Sequence, residues 1–216
     1  MLYFTFNTAS EIICFLVSLV CIAKGTDWIC KSIWLYLLIT CITEMYGIYL
    51  KTNHHPNQWP YNILLVFQII FISFFFGNLF SKYIKSKPII IGGLALLLGL
   101  YIYELLFHTF FRFFELTYNC MSVLFVIYSL YYFYLLLKDG NYIDLKYSAN
   151  FWWVSGVLFF YFGSTAVNLF RGKLSVMVTP KHYLTYYIYI ILNMLLYGCW
   201  SYSFICKRWL TTTSKT

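Results

Sequence analysis

The sequence predicts an all-α fold, a polytopic membrane protein built as a bundle of seven transmembrane helices. Three observations predict it. Seven long apolar stretches run through the 216 residues with little between them. The chain is 62% hydrophobic and 24% aromatic but only 10% charged, more apolar surface than a soluble domain of this size can bury. Each stretch comes close to the roughly 20 residues that a helix needs to cross a hydrocarbon core about 30 Å thick. The runs are continuous and lack period-two alternation, so helices are predicted in preference to a barrel.

The spans are expected at 5–23, 29–50, 60–80, 88–108, 117–137, 149–170 and 184–206. Each break has a cause in the sequence. Lys24, Gly25, Thr26 and Asp27 close the first span. Asn53, His54, His55 and Pro56 close the second, and neither Pro56 nor Pro60 can continue a helix from within. Lys82, Lys85, Lys87 and Pro88 follow the third. Arg112 and Glu115 interrupt an otherwise Phe-rich run after the fourth and predict a tight turn there. Lys138, Asp139, Gly140 and Asn141 stop the fifth, and Arg171, Gly172 and Lys173 the sixth. No linker, repeat or low-complexity block is visible, so residues 1–216 read as one domain. The first span has no basic residue before it and no clear cleavage site, so it is expected to be retained. Trp28, Trp59, Tyr61, Trp152, Trp153 and Trp209 lie near span ends and suit interfacial belts.

Lys and Arg set the expected orientation. With the N-terminus outside, Lys24, Lys31, Lys82, Lys85, Lys87, Lys138, Lys146, Lys207, Arg208 and Lys215 fall inside. Lys51, Arg112, Arg171, Lys173 and Lys181 fall outside. Ten against five favours an inner-membrane protein with its N-terminus outside and its C-terminus cytoplasmic. The net charge of +8 then reflects topology and contact with the lipid bilayer. It does not point to nucleic acid, because no basic soluble face exists to carry it.

The seven cysteines lie mostly inside spans, without a CxxC, and read as small packing residues. Glu11, Glu44, Glu104 and Glu115 sort to the outer side with all four histidines, while Asp27, Asp139 and Asp144 sort to the inner side. Glu44 lies roughly 9 Å and Glu104 roughly 6 Å below their span ends at the helical rise. Carboxylates at such depth are costly unless paired, protonated or facing water. Glu104 and His108 share a helix face, and Arg112 extends that face if the helix persists. Asn62, Gln68, Asn119, Ser122, Asn168 and Arg171 come from neighbouring spans.

Two readings follow. In one, Glu44, Asn62, Gln68, Glu104, His108, Arg112 and Asn168 line an outward-opening polar pocket for a ligand. In the other, each acid pairs locally, Glu104 or Glu115 with Arg112, and fixes helix packing. Glu104, His108, His54 and His55 are acceptable zinc ligand types, but no spacing of a known site is present, and no metal or cofactor is expected. The seven-helix hydrolases related to ceramidases and adiponectin receptors use histidines, an aspartate and a serine around zinc, but no span here contains an aspartate and the last has no HxxxH pair; a rhodopsin needs a lysine absent from the seventh span. Catalytic residues are accordingly not assigned. Gly156 and Gly163, seven residues apart, put a small-residue face on the sixth span, suited to an internal packing seam or a homo-oligomer contact.

Phe151, Trp152, Ser155, Gly156, Tyr161, Gly163 and Ser164 form a pattern that resembles small seven-helix membrane proteins of the Bacteroidetes. The Tyr-rich end of span five, Tyr131, Tyr132, Phe133 and Tyr134 followed by Leu135 and Leu136, is similar too. Some such proteins are encoded beside sensor histidine kinases. The resemblance therefore implies a sensory or regulatory module with a membrane or cytoplasmic signalling partner, and it carries over no catalytic residue. A small transporter or channel subunit is the alternative expectation, ahead of a metal-dependent hydrolase.

Overall fold

The computed structural model describes the backbone of residues 6–22, 28–139, 144–180 and 182–213, and the side chains of 6–21, 32–139, 144–180 and 182–208. Lys24, Gly25, Thr26, Asp27, Gly140, Asn141, Lys181 and Lys215, and the side chains of Trp28, Cys30, Lys31 and Trp209, lie outside the described residues.

Each predicted run is a helix. They are α1 (Phe6–Ile22), α2 (Trp28–Thr52), α3 (Trp59–Phe80), α4 (Lys87–Phe107), α5 (Glu115–Lys138), α6 (Ala149–Leu169) and, after a one-turn α7 (Arg171–Leu174), α8 (Leu184–Thr213). Stretches in five of them (32–52 in α2, all of α3, α4 and α5, and 184–208 in α8) are long and apolar enough to cross a membrane. The 17 described residues of α1 are too few by the same measure. The 21 residues of α6 are long enough, but Asn150, Ser155, Ser164 and Asn168 lower its hydropathy.

Local chemistry sets the ends. Pro60 and Pro88 sit in the first turns of α3 and α4, where a missing N–H costs nothing. Ser148 caps α6 by accepting from Phe151 N. Asp144 caps a 3₁₀ turn at Leu145–Tyr147 by accepting from Lys146 N. The helix does not persist from Glu104 to Arg112: His108 is already extended, with φ −123° and ψ 157°. A short hairpin, β1 (Met177–Thr179) with β2 (His182–Tyr183), precedes α8, where the sequence predicts only a break.

Neighbouring helices close a ring in the order α1, α2, α3, α5, α6, α8 and back to α1. Helix α4 lies outside it, packed across α3 and α5. Gly156 and Gly163 face α8: a Cβ at Gly156 would stand 3.0 Å from Cys199 Cβ and 3.2 Å from the Leu196 carbonyl, and one at Gly163 would overlap Leu192. The glycine face is thus an internal seam.

One end of the ring is filled with aromatic rings. Trp153 stacks between Phe75, at 3.6 Å between centroids, and Trp200, at 5.4 Å. Phe76 and Phe80 are fully buried beside them. Lys82, Lys85, Lys138, Lys146 and Lys207 belong to the segments at this end. Trp153 therefore belongs to the core and not to an interfacial belt. Outside the ring, Leu16, Phe67, Ile70, Leu96, Leu130, Phe159, Phe162 and Ile191 are exposed, a shell of apolar side chains suited to lipid.

Candidate functional site

The opposite end of the ring is hollow. A cavity of about 460 Å³ lies there, within the range of small-molecule sites. Every ring helix contributes to it. Glu11 comes from α1, Thr40 and Glu44 from α2, and Tyr61 and Gln68 from α3. Tyr118 and Asn119 come from α5, Phe160 and Asn168 from α6, and Tyr189, Asn193 and Tyr197 from α8. Arg171 and Glu115 also line it, and their side chains are 65% and 56% exposed, so the cavity reaches the surface at this pair. Arg171 Nη1 donates to Glu115 Oε1 at 3.2 Å.

The deep part is acidic. Glu11 is only 3% exposed, and its Oε1 accepts from the Tyr197 hydroxyl at 3.1 Å. Its Oε2 has no hydrogen-bond partner among the described residues. Glu44 Oε2 accepts from the Tyr61 hydroxyl at 3.1 Å. That approach depends on Gly47, one turn beyond Glu44 on α2: a Cβ there would stand 2.5 Å from the Tyr61 oxygen.

Side chains of α5, α6 and α8 form a neutral network at the cavity. Asn168 Nδ2 donates to Asn119 Oδ1 at 2.7 Å, and the Tyr189 hydroxyl donates to Asn168 Oδ1 at 3.1 Å. The hydroxyls of Tyr118 and Ser164 bond at 2.8 Å. Asn193 Nδ2 donates to the Tyr189 carbonyl at 2.9 Å. These bonds hold the polar groups in fixed places while leaving faces open to the cavity.

The seven predicted pocket residues divide. Glu44, Gln68 and Asn168 line the cavity. Asn62, Glu104, His108 and Arg112 do not. Asn62 is fully buried and holds the 108–114 turn: it donates to the carbonyls of Phe110 (2.9 Å) and Arg112 (2.8 Å) and accepts from Phe114 N at 3.1 Å. Glu104 accepts from the backbone of Leu116 and Thr117 at the start of α5. His108 and Arg112 are exposed in the turn. The place of α4 outside the ring keeps Glu104 off the interior, the 108–114 turn carries His108 and Arg112 away from it, and Asn62, although on the ring helix α3, is taken up by that turn. Glu115 bonds to Arg171, and Glu104 to backbone, so neither uses the expected Arg112.

Other cavity residues escape a reading of the sequence. Glu11 sorts with the outer acids but is not predicted in the pocket, and Tyr118, Tyr189, Tyr197 and Asn193 are not predicted there either. A signal exists: a tyrosine well inside a span carries a hydroxyl that must find a partner, and Tyr197 sits in the middle of α8. Tyr61 has the position of an interfacial anchor, but it turns inward onto Glu44. Among the described residues no three of His, Cys, Asp and Glu gather as a metal site. No protein-family model matches the chain, and it matches neither a curated protein nor a solved structure.

Proposed function

We propose that this chain is a seven-span inner-membrane protein that acts as a sensory or regulatory module and takes a small ligand into its cavity from the outer side. The observation that carries the reading is the cavity itself. All six ring helices contribute polar side chains to its mixed lining, and it reaches the surface beside Arg171 and Glu115. The stacked Phe75, Trp153 and Trp200 fill the other end, which favours a binding module over a continuous channel. The ring order supports seven spans. Helix α1 lies between α8 and α2, and α6 between α5 and α8, so each is flanked by helices apolar enough to span. The excess of Lys and Arg in segments at the aromatic end favours a cytoplasmic place for that end and an external mouth. A ligand that tightens the ring would shift the helix ends on the cytoplasmic side, where a signalling partner would sit.

Thiol labelling tests the reading. With the seven native cysteines replaced by serine, Asn193→Cys in the cavity wall should react with a membrane-impermeant thiol reagent added outside. Phe162→Cys, on the exposed apolar shell, should stay unreactive. An inert Asn193→Cys would remove the water-filled cavity and the function built on it.

A further inference from the structure

We propose that the cavity's ligand is a small organic cation, a molecule carrying a protonated amine, and that Glu11 and Glu44 receive its ammonium group. The proposal rests on the ligand-cavity reading above and names its chemistry. Two carboxylates from different helices enter one cavity. The one basic side chain among the described lining residues, Arg171, is already joined to Glu115 at the mouth. The deep acids thus have only tyrosine hydroxyls as partners among the bonds described, one oxygen each.

Glu11 makes the need specific. It is 3% exposed, lines the cavity, and its Oε2 lacks a donor among the described residues. Buried carboxylate oxygens demand donors, and buried charge demands a counter-charge. An ammonium group meets both needs, with three N–H donors on one positive centre. The rest of the lining suits the remainder of such a molecule. Phe113, Tyr118, Phe160 and Tyr189 offer aromatic surface, which packs hydrocarbon and attracts cations through the ring face. A bare metal ion fits less well. A 460 Å³ space is far larger than an ion, the third acid of the lining, Glu115, is joined to Arg171 at the mouth, and among the described residues no three of His, Cys, Asp and Glu gather closely enough to hold a metal.

The experiment uses the full chain in lipid nanodiscs and calorimetric titration at fixed ionic strength. Benzylammonium is the cationic probe, benzyl alcohol its neutral counterpart, and sodium and calcium chlorides the ion controls. Benzylammonium should bind saturably, and benzyl alcohol about tenfold or more weakly. Glu11→Gln and Glu44→Gln, nearly isosteric, should each weaken benzylammonium by about tenfold or more. Tyr197→Phe, which removes only the hydroxyl that orients Glu11, should weaken it less and covers the case in which a Gln variant fails to fold. Equal binding of the two benzyl probes, or unchanged affinity in all three variants, overturns the proposal and leaves the cavity reading standing. Calcium or sodium binding that depends on Glu11 without any benzylammonium binding overturns it in favour of an ion site. Failure of every probe also overturns it, and only an inert Asn193→Cys would take the underlying reading with it.

Discussion

The Glu104 carboxylate, in the last turn of α4, accepts a hydrogen bond from the backbone N–H of Thr117 at 2.8 Å, and a second, at 3.1 Å, from Leu116. The first N–H groups of a helix have no partner within it, and the helix dipole favours negative charge there. An acid from one helix thus caps the next and fixes the turn between them. Glu104→Ala should destabilise the protein by about 1–3 kcal/mol. Glu104→Gln, which keeps an acceptor, should lose less. Thermal unfolding in detergent measures both, and binding of cavity probes should be unaffected. A Glu104→Ala protein as stable as the wild type would mean that the cap contributes nothing.

Asn62 does the complementary work from α3. Its amide bonds two carbonyls and one N–H of the 108–114 turn while fully buried. Asn62→Leu roughly preserves the volume but strands those backbone groups, at a cost of about 2–4 kcal/mol. The loss should appear as a lowered unfolding temperature and as faster proteolysis within the turn. Undiminished stability would show that water replaces the amide.

Glycines should separate sharply by place. Gly156→Leu forces bulk against the Leu196 carbonyl and Cys199 and should cost at least about 1–3 kcal/mol. A Cβ at Gly99 on α4 would have nothing within 4 Å, so Gly99→Ala should be neutral or stabilise by about 0.5–1 kcal/mol. Equal effects of the two substitutions would contradict the packing of α6 on α8.

Gly47 links packing to the site. Gly47→Ala places a methyl group where the Tyr61 ring end stands and should break the Tyr61–Glu44 bond. Probe affinity in the cavity should fall several-fold, by roughly the 1 kcal/mol scale of one hydrogen bond. Unfolding temperature should change little, because the ring tip can swing into the cavity. Unchanged affinity would show that Tyr61 does not position Glu44.

Topology has its own test. A cysteine at Asn57 should label from outside and one at Lys85 should not. The reverse pattern would place the cavity mouth on the cytoplasmic side.

Consecutive residues alone specify the helices. Apolar run length is a local property, so the seven helical stretches and the breaks at Pro56, Pro88 and the Arg112 region are legible in order. The same holds for the glycine face of α6, since seven residues make about two helical turns. The order of helices around the bundle is different in kind, and it comes from tertiary packing. Sequence depth makes Glu44 and Glu104 look alike, because both are acids inside an apolar span. The ring puts α2 on the cavity and α4 outside it, so Glu44 faces the hollow and Glu104 caps α5. Likewise Glu11 and Tyr197 are 186 residues apart in the chain and meet only because α8 closes on α1. Periodicity along one helix fixes which residues share a face. Which neighbour that face meets depends on packing between helices distant in sequence, and uniformly apolar spans leave no stripe from which to read it.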